Sequence, residues 1–407
     1  VFIRKPGIEK GSLSSITWRR LKKNYLAMAG LLWILFSSLL AVSGYLITPD
    51  STPFANHQQL ELATHPPGFS IDMLYIKKNQ DIPHTGVFKK MISGEPMPYH
   101  TIPIQRFWFE EDRIFYETYS GQPGYPGLEG SYLLVDVLFS IEDFTTVSRK
   151  NDQIAFADIS GEKQVKTIGE LKERVEQESI RHQRFILGTD RFGRDMLSQL
   201  VIGTRVSLSV GFIAVFISLV IGISLGSLGG FYRGKLDDFI VWLINVVWSI
   251  PTLLLVIAIT FAIGKGFWQV FLAVGLTMWV EVARVVRGQV ISIREKDFVE
   301  SARALGLSSS RIISRHILPN IMGPVIVISA ANFASAILIE AGLSFLGIGV
   351  QPPMPSWGTM IREHYGFIIL DKGYLAFLPG IAIMLIVLSF MLAGNGLREA
   401  LDRTAIA

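Results

Sequence analysis

The chain contains no cysteine. That absence excludes disulfides, thiolate zinc sites, iron–sulfur clusters and cysteine nucleophiles. Charge is scarce as well: 18% of the 407 residues are Asp, Glu, Lys or Arg, against about 25% in an ordinary soluble domain. Half the residues are hydrophobic, and mean hydropathy is +0.40. Collagen-like, coiled-coil and disordered classes are excluded for the chain as a whole. There is no Gly-x4-Gly-Lys-Ser/Thr segment, so no P-loop nucleotide site is expected; Gly-Lys at 234–235 and 264–265 lacks that context. There is no His-Glu-x-x-His, and the seven histidines do not fall at metal-ligand spacing, so no metal site is expected. Nothing orders Ser, His and Asp as a catalytic triad. The net charge of +4 suits either a nucleic-acid partner or a basic membrane protein, and the placement of the charge decides between them.

Long apolar runs are what the chain has in excess. A bilayer crossing needs about 20 mostly apolar residues. Six windows qualify or nearly do: 26–47, 206–232, 239–264, 266–283, 317–339 and 374–397. The fourth reaches 283 only if Glu281 sits near the membrane interface. The first follows Arg19, Arg20, Lys22 and Lys23. It resembles a signal peptide but is too long and lacks an obvious cleavage site, so it reads as a retained span. Pro251, Pro324 and Pro379 fall inside windows, where neighbouring helices make proline tolerable.

Lys and Arg set the orientation. They crowd 1–25, the stretch from Arg284 to Arg315, the Arg233–Lys235 loop and the tail 398–407. Six spans put all four segments on one side, which makes both termini cytoplasmic. Topology accounts for the basic patches, so no nucleic acid is required. The stretch 48–185 then faces outward. It is acidic, and its short apolar runs at 73–76, 102–109, 114–119 and 132–139 are punctuated by Gly and Pro, the pattern of strands and turns. Residues 105–119 read as a hairpin with Glu110-Glu111-Asp112 at its tip. Residues 167–183 read as an amphipathic helix opened by a Thr167/Glu170 capping box. The expectation is an all-α polytopic membrane protein with an inserted small α+β extracytoplasmic domain, followed by a five-span core over 186–397.

One cytoplasmic segment, Phe298-Val-Glu-Ser-Ala-Arg-Ala-Leu-Gly306 continuing to Arg315-His-Ile-Leu-Pro-Asn320, reads as two short helices around a glycine turn. Gly306 is placed to end the first helix in a left-handed conformation. Small residues at Ala302 and Gly306 suggest a surface for close docking. The segment resembles the EAA coupling loop (294–319 here) of ABC-importer permeases. Glu300, Ala302, Gly306, Leu318 and Pro319 match the pattern. Ser301 replaces its alanine, and His316 stands where the general pattern has Ile. Two further segments resemble the dipeptide, oligopeptide and nickel branch of that family: Leu187-Gly-Thr-Asp-Arg-Phe-Gly-Arg-Asp195, and Glu340-Ala-Gly-Leu-Ser-Phe-Leu-Gly-Ile-Gly-Val-Gln-Pro-Pro-Met-Pro-Ser-Trp-Gly358. The resemblance covers 181–403 and points to the C-type subunit, whose usual outer loop is shorter than 48–185.

The physical roles of these residues stay open at this stage. Gly188, Thr189, Asp190, Gly193, Arg194 and Asp195 form either a salt-bridged cap on the second span or a contact for a receptor. Gln351, Pro352, Pro353 and Trp357 form a stiff outer loop, with Trp357 suited to the membrane interface. Ser218, Gly222, Gly226 and Gly230 recur at every fourth position and suit close helix packing, against another span or a partner subunit. Asn245, Asn332 and Glu340 are candidate path or gate residues, or else interhelical hydrogen-bonding groups.

The resemblance implies a type I ABC importer architecture in the bacterial plasma membrane, carrying peptides, nickel or another small solute. It implies as partners a second, B-type permease, two ABC ATPase subunits, an extracytoplasmic substrate-binding protein and the lipid bilayer. ATP and Mg would belong to the ATPases, leaving this chain without cofactor or catalytic residue. Rival readings are an ATPase-independent channel or transporter, and a membrane-tethered sensor or assembly protein working through its outer domain.

Overall fold

The computed structural model describes residues 13–401 apart from 81, 83, 84, 123, 142, 143 and 265. The basic residues expected at Arg4, Lys5 and Lys10 and the tail beyond 401 lie outside the described residues. The chain divides into two compact units: Val1–Ala41, Gly203–Tyr365 and Ala376–Ala407 form one, and Val42–Ile202 with Gly366–Leu375 the other.

The chain opens with α1 (Leu13–Leu21) and α2 (Tyr25–Ile47). No residue of α2 is charged, and Leu32, Leu35, Phe36 and Leu39 are exposed along it, as a helix surrounded by lipid requires. The second unit then carries α3 (Val87–Ser93), α4 (Leu134–Leu138), α5 (Ile168–Arg174) and eight strands: β1 (Phe69–Lys77), β2 (Tyr99–Glu110), β3 (Arg113–Thr118), β4 (Glu129–Leu133), β5 (Ser148–Lys150), β6 (Gln153–Ala157), β7 (Lys163–Thr167) and β8 (Ile180–Phe185). Five strands form an antiparallel sheet in the order β4-β3-β2-β1-β8, and β5-β6-β7 form a second sheet. Leu74, Ile104 and Ile114 on the large sheet bury against Leu134, Val137, Leu171 and Val175 from α4, α5 and the turn after it. β2 and β3 form the expected hairpin, with Glu111 at φ 48° in its turn.

Two sequence expectations are corrected in this unit. The helix expected over 167–183 is capped by Thr167, whose Oγ1 accepts from Glu170 N at 3.2 Å, and it runs as α5 to Arg174 and on as a π-helical turn to Ser179, where it ends. Residues 180–185 pair with β1, Leu74 opposite Ile180 and Phe69 opposite Phe185; the strand buries Phe185 while exposing Arg181, His182 and Arg184. The apolar run 132–139 is a strand only to Leu133. It then turns into α4, because Leu134, Val135, Val137 and Leu138 are all buried, which a strand with one solvated face cannot achieve.

The remaining helices are α6 (Met196–Tyr232), α7 (Gly234–Trp248), α8 (Thr252–Ile263), α9 (Phe267–Arg294), α10 (Asp297–Ala304), α11 (Ser309–Ile312), α12 (Leu318–Phe345), α13 (Trp357–His364) and α14 (Tyr374–Leu401). Among the described residues, five helices are long and apolar enough to cross a membrane, and a sixth crossing is formed if α7 and α8 count as one span. The window expected over 239–264 is therefore not one straight helix. α7 and α8 meet at a 92° bend across Ser249–Pro251, where Pro251 has no N–H to continue the ladder. Pro324 and Pro379 lie inside continuous helices. α9 runs well past the expected limit at 283. Val282, Val286 and Val290 continue its buried stripe at every fourth position, and Arg284 and Arg287 face elsewhere.

α6 and α9 pack backbone to backbone. A Cβ added at Gly222 would lie 2.5 Å from Val282 Cβ, one at Gly226 2.6 Å from the Ala283 carbonyl, and one at Gly230 2.8 Å from the Arg287 carbonyl. Ser218, fully buried, completes the row, and its hydroxyl bonds Val215 O at 2.9 Å. The contact is intramolecular, and each glycine supplies the space for one turn of α9. Bidentate bonds from Arg287 to Asp237, 2.5 and 2.7 Å, tie α9 to α7 beside this seam. Gly226→Leu is expected to cost about 1–3 kcal/mol or more through overpacking. It should lower the apparent melting temperature of the detergent-solubilised protein, whereas Ser224→Leu, on the exposed side of the same helix, should leave it nearly unchanged.

Candidate functional site

Between α9 and α12 the chain builds a compact knob. α10 ends in a Schellman turn: Leu307 N bonds Ala302 O at 3.2 Å and Gly306 N bonds Arg303 O at 2.9 Å, with Gly306 at φ 75°. That backbone, and not a lack of room, requires glycine, since a Cβ there would meet nothing within 4 Å. Val299 and Ala302 turn inward, joining Val286 and Val290 of α9, Phe231 of α6, and Ile312, Ile317 and Ile321 beyond the turn in one buried cluster. Ala302 is thus small for the knob's own packing, and the expectation that it forms part of the docking surface is corrected. The outward surface carries Phe298, Glu300, Ser301, Leu305 and Gly306, with Leu305 80% exposed. His316 and Leu318 are half-buried, and Pro319 lies in the first turn of α12. An exposed Phe and Leu around a carboxylate, on a rigid two-helix base, is a surface suited to a cleft in another protein.

The Leu187–Asp195 segment folds as a tight turn in front of α6. Asp190 Oδ1 accepts from the backbone of Phe192 at 2.8 Å and of Arg194 at 2.9 Å, and Asp190 Oδ2 pairs with Arg194 Nε at 2.6 Å. Both side chains are buried, at 1% and 7% exposure. Thr189 Oγ1 accepts from His65 N at 2.8 Å and donates to Leu62 O. Gly188 and Gly193 have positive φ and press on the backbone of His65 and Gln59. Asp195 caps α6 by accepting from Ser198 N at 2.8 Å and Ser198 Oγ at 2.5 Å. Burial pushes its carboxyl above the ordinary range, and the two Ser198 bonds oppose the shift. The segment's buried polar groups pair with one another and with Asn56, Leu62 and His65, as those of a structural cap do.

The third segment closes the end of α12. Gly347 reverses the chain at φ 79°, and Ser356 and Thr359 form a reciprocal capping box for α13. Trp357 is 3% exposed and fills the notch left by Gly203, where an added Cβ would lie 3.1 Å from its ring. The tryptophan is therefore a core wedge between α13 and α6, which corrects its expected place at a membrane interface. Gln351 bonds the carbonyls of Gly347 and Gly349, and Pro352 and Pro353 are exposed. Glu340 is fully buried. Its Oε1 accepts from Ser344 Oγ at 2.7 Å, and the Ser207 and Ser356 hydroxyls lie beside it. Asn332 is buried with neither amide atom bonded, and Asn245 is exposed on α7. The candidate path residues are thus dispersed and do not form one site.

Sequence reasoning passed over a group at the bend of α7 and α8. A cavity of about 320 Å³ is lined there by Trp248, Thr252, Thr277, Glu281, Ser335 and Leu338 among others, and the Arg284 guanidinium carbon sits 3.4 Å from the Trp248 ring centre. The available signal was the continuation of the Val282–Val286–Val290 stripe, which carries Glu281 and Arg284 into the middle of a helix.

A multi-pass assembly of long apolar helices, one of them broken, with a helix–turn–helix knob between two spans, has the architecture of a polytopic integral membrane protein. Residues 209–406 match the family described as binding-protein-dependent transport system inner membrane component, and residues 12–67 match the N-terminal TM domain of oligopeptide transport permease C. The chain is 42% identical over 215 residues to the dipeptide transport system permease protein DppC of Alkalihalophilus pseudofirmus, covering 53% of this chain and 70% of that protein. It is 39% identical to the glutathione transport system permease protein GsiD of Pectobacterium atrosepticum, over 53% of this chain and 71% of the relative. Identity to the oligopeptide transport system permease protein OppC of Bacillus subtilis is 36%, over 53% and 70% of the two chains. Among solved structures, an inward-facing MetNI methionine ABC transporter chain aligns with a TM-score of 0.44 and 21% identity, over 51% of this chain and 98% of the other. The chain belongs to the binding-protein-dependent transport system inner membrane component family.

The buried pair gives a stability prediction. Arg194→Met leaves the Asp190 carboxylate buried without its partner and should cost about 3–5 kcal/mol. Arg191→Met at the exposed neighbouring position should cost about 0.5 kcal/mol. Thermal unfolding of the two solubilised variants distinguishes them.

Proposed function

We propose that this chain is one of two unlike permease subunits in an ATP-driven importer of short peptides in the bacterial plasma membrane. The names of its relatives support peptide or glutathione cargo, and a nickel or other small-solute importer is the second reading within the family. With six crossings and the Lys and Arg flanks on the inner side, both termini are cytoplasmic and the sheet-bearing domain is outside, where a substrate-binding protein delivers cargo. Two ABC ATPase subunits, holding ATP and Mg, receive the knob. In this reading ATP hydrolysis and its cofactors belong to the partner subunits, and this chain's role is transport without catalysis or nucleic-acid binding.

The observation that carries this reading is the knob. Its exposed Phe298, Glu300 and Leu305 stand on a core continuous with α9 and α12, so a push on that surface is transmitted to two spans at once. Asp190, Arg194 and Asp195 act as a structural cap on α6, and the Gly222–Gly230 row holds α6 against α9. Glu300→Lys and Gly306→Trp should insert normally while losing ATPase co-purification or transport-coupled ATP hydrolysis. Normal ATPase recovery together with normal peptide uptake in both variants would contradict the coupling role.

The outer domain can be tested separately. Phe69 and Phe185 are paired, and Gly68 N bonds the carbonyls of Phe185 and Ile186 at 2.9 and 3.2 Å, so the domain leaves and re-enters at one point. Replacing 69–185 by a short Gly-Ser linker should preserve membrane insertion and ATPase binding while weakening receptor-stimulated ATP hydrolysis. Unchanged receptor stimulation would remove the domain from receptor docking.

A further inference from the structure

Glu281 lies near the inner end of the apolar window 266–283 of α9, just before the basic flank that begins at Arg284. It is exposed on the surface of the helical unit and makes no ion pair among the described residues. Arg284, one turn on, has its guanidinium stacked on Trp248. A carboxylate left facing lipid there is unfavourable, and such groups face water-filled paths or charged partners. The space beside Glu281 is the cavity at the α7–α8 bend, about 320 Å³, large enough for a dipeptide with water. Its wall offers the hydroxyls of Thr252, Thr277 and Ser335, the Trp248 ring and the Leu338 side chain. The bend itself exists because Pro251 interrupts the span, and irregular backbone at membrane depth is tolerated where it lines a cavity.

We infer that this cavity is a substrate subsite on the translocation path, and that the Glu281 carboxylate receives the ammonium group of the transported peptide. The inference rests on the peptide-importer reading and adds to it a place and a recognising group. A carboxylate accepting from an ammonium forms a charge-assisted hydrogen bond, and beside the apolar Trp248 and Leu338 side chains that bond is screened less than in bulk water.

The test uses the complete importer with its receptor, reconstituted in proteoliposomes, and radiolabelled dialanine as probe. Uptake by the wild-type complex tests the peptide reading; the ratio of variant to wild type tests the subsite. Glu281→Gln should cut dialanine uptake at subsaturating substrate by about tenfold, the size of one charge-assisted hydrogen bond. The second permease and the ATPases should still co-purify, and receptor-stimulated ATP hydrolysis should persist. Glu281→Asp should recover part of the loss. Equal uptake by wild type and Glu281→Gln overturns the subsite and leaves the peptide reading standing. Loss of the second permease from the Glu281→Gln complex also overturns it, placing Glu281 in a subunit interface. Absence of dialanine uptake by the wild type overturns both.

Discussion

The row of small residues on α6 is the constraint on which the rest of the helical unit depends. Gly222, Gly226 and Gly230 let α6 approach α9 until added methyl groups would overlap its backbone carbonyls and valines. Inside a membrane there is little hydrophobic gain from bringing two helices together, so close van der Waals packing of this kind carries the association. With α9 fixed, its Val282–Val286–Val290 face is fixed as well, and that face is the floor on which α10 and the turn at Gly306 are built. The Asp237–Arg287 pair locks α7 to the same helix.

This arrangement joins the proposed coupling surface and the proposed path through one element. α9 carries the knob's floor toward Arg294 and lines the cavity near Thr277 and Glu281. α12 starts from the far side of the knob at Leu318 and presents Ser335 and Leu338 to the same cavity. A displacement of the knob is therefore a displacement of two cavity walls, while α7 and α8 form the third wall at a bend where Pro251 removes one ladder bond. Packed interfaces of this kind shift between discrete arrangements more readily than they deform.

Much of this was legible in the sequence where one residue type has one use. The positive φ of Gly306 and the four-residue spacing from Ser218 to Gly230 are local rules, and the knob's two short helices follow from them. The hairpin at Glu110–Asp112 was legible for the same reason. What was not legible depends on partners distant in sequence. Ala302 looks like a docking residue until Val299, Ile312 and Ile317 close over it, and Trp357 looks like an interfacial anchor until Gly203 opens a notch for it. Residues 180–185 have a helical neighbour in sequence but a strand neighbour in space, and β1 decides their state. The bend at Pro251 and the mid-helix position of Glu281 were hidden because hydropathy windows record composition, not direction.

The absence of cysteine allows the central claim, that the knob seats in an ATPase subunit, to be measured without altering another residue. Leu305→Cys places a single thiol on the most exposed apolar position of the knob. In membranes holding the assembled importer, a benzophenone maleimide attached to that thiol should photocrosslink, by insertion into a C–H bond, to an ATPase subunit, and nucleotide should change the yield. Failure to crosslink, together with labelling of the thiol in intact cells by a membrane-impermeant maleimide, would contradict the account, because the knob would then face the outside.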